Sequence, residues 1–176
     1  MRRTFFILSA VAMLCAVSTA QPGDAPLTAA ERLAMLRANR VLIDDLVDDG
    51  LALAAQNRSL DATELAVGSS TRLAVALQRA IADGDADRMA ELGDHLDAMI
   101  GEAVVPGLRE AKSTIPPGSP DYVRYLAVHK KAFERLSPVA EEVPIDGKGW
   151  TVDRIRRCRE RLAATLSQIG KPPMGE

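Results

Sequence analysis

Four aspartates in the middle of the chain have the spacing of calcium ligands. Asp83, Asp85 and Asp87 occur at every second position, and Asp94 follows eleven positions after the first, as in a calcium loop between two helices. Arg88 occupies the sixth position, where such a loop needs glycine for its sharp turn. The segment is also typical of a helix end followed by the cap of the next helix. A calcium site and a helix boundary are therefore the two interpretations.

Polar residues interrupt two predicted apolar helix faces. Asn39 and Arg40 fall on the predicted inward face of the first helix, and Arg159 falls on that of the last helix. A buried arginine needs a partner, because its charge is costly to remove from water. In one interpretation, Arg40 pairs with Asp44 one helical turn further along the chain. The aliphatic part of the Arg159 side chain then packs against its neighbours, and its guanidinium reaches water or an acid on another helix. Alternatively, Asn39, Arg40 and Arg159 bind an anionic ligand or a partner's carboxylates.

The last predicted helix carries an excess of arginines. Several of them have an acidic residue one helical turn away, namely Arg157 after Asp153 and Arg156 before Glu160. Arg154 and Arg161 are left on one side of the helix, with Cys158 between them. Together with Arg159 they predict an interaction edge that contains a free thiol, and a solvated face is the alternative. The candidate interaction residues are Arg154, Cys158, Arg159 and Arg161.

Motifs for catalysis or cofactor binding do not occur in the sequence. It has no Gly-x-Ser-x-Gly nucleophile motif, no Cys-x-x-Cys-His haem motif, no paired Glu-x-x-His and no phosphate-binding glycine loop. We therefore expect neither a cofactor nor an enzyme activity.

The first 20 residues are typical of a cleavable signal peptide. Arg2 and Arg3 place positive charge ahead of an apolar run that ends at Val17 and is too short to span a bilayer. Small residues precede a predicted cleavage point after Ala20. The mature protein would then be periplasmic or secreted, with no stable membrane span. A retained anchor helix is the alternative.

Charge and cysteine content restrict the partners. The full chain has 22 basic and 24 acidic side chains, and the loss of Arg2 and Arg3 leaves 20 against 24, a net charge of −4. Nucleic acid is therefore not an expected partner. Cys15 would leave with the signal peptide, so Cys158 would be alone in an oxidising compartment, either buried or available to a second chain.

Residues 21–176 are predicted to form a single helical domain. Apolar residues recur at helical spacing, as Leu36, Ile43 and Val47 do on the first helix, and alternate nowhere as they would in a strand. We predict an all-α bundle of four to five helices, mostly antiparallel. Its parts are a first helix from Ala29 to Gln56 within helical hairpins over 29–105, a hinge at 113–119, and helices over 120–136 and 151–169.

Glycine and proline predict the helix ends. Gly84 can end the second helix in the left-handed conformation, and Asp85 can cap the third, which Pro106 would break or kink. The Pro-rich segment 115–120 cannot be helical throughout, and we interpret it as the main hinge of the chain. Within it, Ser119 can cap a new helix in which Pro120 occupies the first position.

Three segments resemble a group of exported, wholly helical bacterial proteins of unknown function. They are residues 37–43 (Arg-Ala-Asn-Arg-Val-Leu-Ile), 90–96 (Ala-Glu-Leu-Gly-Asp-His-Leu) and 115–120 (Ile-Pro-Pro-Gly-Ser-Pro). This resemblance spans residues 31–137 and implies an exported helical fold without assigning an activity. Residues 27–31 are also similar to the Leu-Thr-x-x-Gln motif of periplasmic stress chaperones, with glutamate in place of glutamine and no second copy.

The sequence therefore predicts a non-catalytic exported protein that binds another envelope protein or itself. An adaptor, a sensor or a holdase-like chaperone would suit such a chain. The alternative is a carrier of small anions or metal ions that uses the arginine or aspartate candidates above.

Overall fold

The computed structural model describes residues 29–56, 58–144 and 150–173, and these ranges contain helices and no strand. The predicted all-α class is confirmed. The predicted signal peptide, residues 1–20, lies outside the described residues. The helices are α1 (Ala29–Ala55), α2 (Ser59–Asp83), α3 (Ala86–Met99), a π-helical turn (Ile100–Val104), α4 (Val105–Thr114), α5 (Pro120–Leu136), α6 (Val139–Glu142) and α7 (Trp150–Ser167).

The chain divides into an N-terminal unit, Met1–Gly50, and a C-terminal unit, Leu51–Glu176. Helix α1 has the predicted bounds to within one residue, but its exposure differs from the prediction. Leu36 and Val47, which the helical spacing places on the inward face, are 66% and 38% exposed. Periodicity identifies which residues share a face of a helix and leaves open what that face contacts.

The turn between α2 and α3 forms as the sequence predicts. Gly84 has φ 69°, and its N–H donates to the Ile81 carbonyl at 3.1 Å, while the N–H of Asp85 donates to Ala80 at 3.0 Å. The Asp85 carboxylate then accepts from the N–H of Arg88 at 3.0 Å and so caps α3. Glycine adopts this left-handed conformation without the steric cost that a Cβ atom imposes.

Pro106 neither breaks nor ends the helix that contains it. Helices α3 and α4 are continuous through the π-helical turn, in which the N–H of Val105 donates to the Ile100 carbonyl five residues earlier. Proline has no N–H and its ring collides with the carbonyl of the preceding turn, so a locally wider turn accommodates it. The chain leaves the helix at Ile115 and enters α5 at Pro120, where the Ser119 hydroxyl accepts from the N–H of Tyr122 at 3.1 Å.

The core of the C-terminal unit lies around α2. This helix packs against α3, α4, α5 and α6, while α7 packs mainly against α3 and α6. Helices α2 and α5 run in the same direction, because Arg58 pairs with Asp121 and Asp61 pairs with Arg124 three residues further along each helix. The largest fully buried side chains include Val67, Leu77, Leu96, Ile100, Val104, Tyr125, Leu136, Val139 and Leu162.

Candidate functional site

The candidate interaction arginines of α7 form ion pairs with two of the candidate calcium ligands. Arg154 on α7 lies 4.0 Å from Asp87 on α3, measured from Nη1 to Oδ1. Arg161, two turns further along α7, pairs with Asp94 in the same way. The arginines predicted to have no partner and the aspartates predicted to bind calcium therefore form exposed ion pairs across the α3–α7 interface.

These contacts show that α3 and α7 run parallel. The Sγ atom of Cys158 lies 3.9 Å from the Ala90 carbonyl, and the Thr165 hydroxyl donates to Asp97 at 2.5 Å. With the Arg161–Asp94 pair, the partners are always 67 or 68 residues apart in sequence. A constant separation along both helices requires a common direction. Contacts recur every three or four residues, the spacing that keeps one helix face turned to its neighbour.

Cys158 is buried in this interface and does not lie on the predicted exposed edge. Its side chain is 2% exposed, and it lies against Gly93, where a Cβ atom would overlap the sulfur. Burial, followed by the negative charge of Asp94, raises the pKa of the Cys158 thiol to about 11, although the positive charge of Arg161 opposes this shift. A buried, protonated thiol is a poor nucleophile.

Arg159 is separated from the other candidate arginines. Its Nη1 atom donates to the Val143 carbonyl at 3.1 Å, at the end of α6. On a helix of 3.6 residues per turn it projects about 140° from Arg154 around the axis of α7. The structure thus divides the predicted interaction edge into Arg154 and Arg161 on one side and Arg159 on another.

A shallow depression on α7 adds two residues that were not among the sequence candidates. It has a volume of about 260 Å³ and is lined by Arg154, Arg157, Glu160 and Arg161. Arg157 was expected to pair with Asp153, but the Asp153 carboxylate accepts from Arg156 at 2.9 Å instead. Within the described part of the chain, Arg157 has no ion-pair or hydrogen-bond partner. We call Arg154, Arg157 and Arg161 the arginine face.

The proposed ligand group of Asn39, Arg40 and Arg159 is divided between the two units. Arg40 lies in the N-terminal unit, where its Nε atom is 3.7 Å from Asp44 and its side chain is 84% exposed. Asn39 is half-buried on the same helix. Arg159 lies in the C-terminal unit, so a shared ligand site stays a prediction.

The four candidate calcium ligands do not form a loop. Asp83 is exposed at the end of α2, Asp85 caps α3, and Asp87 and Asp94 lie within α3 in ion pairs. Among the described residues, no three His, Cys, Asp or Glu side chains are grouped so that they could hold a metal ion. The helix-boundary interpretation describes this segment.

Sequence reasoning missed a charged cluster between α2 and α5. Arg124 on α5 donates to Asp61 at 2.6 Å and to Glu64, while Arg58 donates to Asp121 at 2.7 Å. Hydrogen bonds to Glu64 and then Asp61 raise the pKa of Arg124 above its ordinary value. The partners are about 60 residues apart, so no local spacing could reveal them.

A buried histidine holds the end of the last helix. His129 is 7% exposed, and its Nε2 atom lies 2.8 Å from the Ile169 carbonyl while its Nδ1 lies 3.2 Å from the Tyr125 hydroxyl. A carbonyl can only accept, so Nε2 carries the proton and, in the neutral ring, Nδ1 accepts from Tyr125. Both ring nitrogens of His129 therefore take part in hydrogen bonds within the protein.

None of the helices within the described ranges combines the length and apolar character that a membrane span requires. We compared the chain with protein-family models, curated proteins and solved structures. No family model matches it, and no curated protein or solved structure is significantly similar to it.

Proposed function

We propose that this protein is exported and binds an acidic segment of another envelope protein through the arginine face of α7, without catalysing a reaction. Its helices would form a compact bundle that presents this face. An adaptor, sensor or holdase-like role would be consistent with such a surface. The observation that carries the proposal is the depression, which is lined by three arginines and a single acidic residue, Glu160.

The ion pairs already present on this face are weak enough to be exchanged. The Arg154 and Asp87 side chains are 40% and 53% exposed, and those of Arg161 and Asp94 are 58% and 41% exposed. Exposed pairs contribute only about 0–1 kcal/mol, because water screens them. Carboxylates of a partner could therefore replace Asp87 and Asp94 at little cost.

Arginine suits this role by its geometry. Its planar guanidinium can donate two parallel hydrogen bonds to one carboxylate, and it sheds water more easily than an ammonium group does. Arg157 has no partner among the described residues and supplies one such group without any exchange. An acidic helix or loop is thus the partner chemistry that fits the face.

Site-specific cross-linking tests the proposal. A photoreactive residue in place of Glu160 would be activated in the native envelope, and the cross-linked peptides identified by mass spectrometry. We expect one dominant partner, joined at a segment rich in Asp and Glu. Combined Arg154→Gln, Arg157→Gln and Arg161→Gln should abolish the cross-link, because the face then lacks its charge.

The matched control removes three exposed arginines elsewhere in the same unit, with Arg79→Gln, Arg109→Gln and Arg135→Gln. This control should keep the cross-link. Equal loss in both triple variants would show that net charge matters and the arginine face does not. Cross-links to many unrelated proteins would also contradict a specific partner.

A small anion is the second candidate, since the same depression could hold one. Thermal unfolding with and without inorganic phosphate or sulfate separates the two cases, because a ligand that binds only the folded state raises the Tm. A rise in Tm that the arginine-face variant loses and the control variant keeps would favour the carrier. No rise with either anion would leave the protein partner as the better proposal.

Export has its own test. Residues 1–20 have the charge and apolar pattern of a signal peptide, and mature protein from the envelope should begin at Gln21. Mass spectrometry of the N-terminal peptide would identify the first residue of the mature protein. An intact Met1 in the envelope fraction would indicate a retained anchor instead.

A further inference from the structure

Helix α1 exposes an apolar stripe. Leu33, Leu36, Val47 and Leu51 are 48%, 66%, 38% and 66% exposed. At about 100° per residue, these four positions fall within about 60° of one another around the helix. Arg40 projects between Leu36 and Val47, so the stripe consists of two apolar patches, Leu33 with Leu36 and Val47 with Leu51. Exposed apolar patches rimmed by charged residues are characteristic of a site that binds another surface.

The charges beside this stripe are ordered along the helix. Arg37 and Arg40 lie in its first half, and Asp44 and Asp48 lie in its second half, all of them exposed. Arg37, Asp44 and Asp48 project within about 40° of one another, on one flank of the stripe, whereas Arg40 projects between the apolar positions of the stripe. One flank of α1 is therefore basic toward its start and acidic toward its end.

We propose that α1 pairs antiparallel with α1 of a second copy of this chain, about a two-fold axis near residue 42. That position is midway between Leu33 and Leu51. It is also within one residue of the midpoint between Leu36 and Val47, so each leucine meets an apolar residue of the second copy. An interface formed by the same surface on both copies requires this symmetry about one point.

The charges satisfy the same symmetry. Arg37 meets Asp48 of the second copy, and Arg40 meets Asp44 of the second copy, because both pairs share that midpoint to within one residue. In an antiparallel pair each flank faces the same flank of its neighbour, which brings the basic half of one helix against the acidic half of the other. A parallel pair would place Arg40, which projects within the stripe, against Arg40 of the second copy, and these like charges repel.

Charge reversal tests the pairing. One variant carries Arg37→Asp and Arg40→Asp, and the other carries Asp44→Arg and Asp48→Arg. The unaltered protein should sediment as a dimer, and each variant alone as a monomer of half that mass, because each places like charges together. An equimolar mixture of the two variants should again form a dimer, since every pair is restored with its signs exchanged.

A control variant with Arg79→Asp and Arg109→Asp removes the same charge from exposed sites on other helices and should stay dimeric. An unaltered protein that is monomeric at concentrations of about 100 μM would overturn the proposal. So would a dimer that survives both reversals, or variants whose mixture fails to recombine while each keeps its helical circular dichroism.

Disulfide trapping tests the register without altering charge. Leu36→Cys protein mixed with Val47→Cys protein should form a mixed disulfide on oxidation, because the two positions face each other. Leu36→Cys alone should cross-link poorly, since its two copies would be about 18 Å apart at 1.5 Å per residue and a disulfide needs Cα atoms within about 7 Å. Efficient cross-linking of Leu36→Cys to itself would contradict the antiparallel pairing.

This dimer is independent of the arginine face. The Arg154→Gln, Arg157→Gln and Arg161→Gln variant should therefore remain dimeric while it loses the acidic partner. Failure of one proposal leaves the other standing.

Discussion

Gly93 on α3 and Cys158 on α7 are in such close contact that the sulfur occupies the space of a side chain at residue 93. Their contact lies at the interface of the two parallel helices, and the exposed ion pairs at Asp87 and Asp94 flank it in sequence. The interface therefore depends on a small residue opposite a larger one, as close helix packing generally does.

Gly93→Ala should destabilise the protein. The new Cβ atom would overlap the Cys158 sulfur, and overpacking of a buried contact costs about 1–3 kcal/mol. The higher helix propensity of alanine offsets up to about 1 kcal/mol of this cost, so the free energy of unfolding should still fall. Urea unfolding, followed by circular dichroism, measures the change in the free energy of unfolding.

Two controls make this measurement specific. In a Cys158→Ala background the same Gly93→Ala change should cost much less, because the sulfur is gone and the Cβ atom at 158 is 4.0 Å away. Gly68→Ala, on α2 with open space around its Cβ position, should be neutral or stabilising. An equal cost of Gly93→Ala with and without the sulfur would show that the contact does not limit the helix separation.

The Cys158 thiol should be unreactive in the folded protein. Burial raises its pKa to about 11, so at pH 8 both access and thiolate content are low. Ellman's reagent should react within seconds to minutes in denaturant and far more slowly in buffer. Rapid stoichiometric reaction without denaturant would restore the exposed-edge interpretation.

Stability should also fall at alkaline pH because of this thiol. Between the ordinary cysteine pKa of about 8.5 and the raised value of about 11, the folded state holds the proton and the unfolded chain releases it. The stabilisation is thus complete below about pH 8.5 and is lost as the pH rises to about 11. Cys158→Ala lacks this component, and a parallel pH dependence in both proteins would contradict the assignment.

Arg124→Gln should cost more stability than removal of an ordinary surface arginine. Arg124 bonds two acids on another helix, whereas Arg156 bonds, among the residues that the structure describes, only Asp153 on its own helix. Because Arg124 is 41% exposed, solvent screening limits the expected loss to about 1 kcal/mol, against about 0.3 kcal/mol for Arg156→Gln. Urea titrations at low and high salt measure both, and the difference should shrink with salt. Equal losses would show that the cluster adds nothing beyond a local pair.

Tyr125→Phe should destabilise the protein by about 1–2 kcal/mol. The change keeps the ring but leaves Nδ1 of buried His129 without its donor. Tyr122→Phe is the matched control, because its ring is only half-buried and its hydroxyl has no described hydrogen-bond partner. Unfolding free energies of the two variants that agree within error would show that the Tyr125 hydroxyl does not matter to His129.

The local features of the fold were predictable, because they depend on neighbouring residues. Gly84 ends α2, Asp85 caps α3, and Ser119 caps a helix with the predicted bounds 120–136. The second helix begins at Ser59, and Asp61 lies in its first turn, where an acidic side chain stabilises a helix N-terminus. Pro106 was predicted to break or kink its helix, since proline rules describe regular α-helices and not wider turns.

The candidate site was less predictable, because its pairings cross between helices. A spacing of four residues predicted that Arg157 pairs with Asp153, and this pair does not form. The same spacing predicted no partner for Arg154, although Asp87 lies opposite it on α3. The sequence identifies which residues are charged and on which face of α7 they lie. The parallel register with α3 decides which of them meet, and partners 67 or 68 residues apart cannot be read from local spacing.

The π-helical turn at Ile100–Val104 divides this helix into two parts whose lengths are constrained by different contacts. Before the turn the helix meets α7 at Gly93, and after it the helix meets α2 at Gly107, against which Thr63 is packed. A π-helical turn contains one residue more than an α-helical turn for nearly the same rotation, so deletion of one residue within Ile100–Val104 would restore a regular helix and leave Gly93 and Gly107 facing the same neighbours. Deletion of one residue from the regular helix on either side would instead rotate the two glycines relative to each other by about 100°. The contacts of Gly93 and Gly107 therefore constrain the number of residues on each side of the turn, whereas the turn itself can lose one residue.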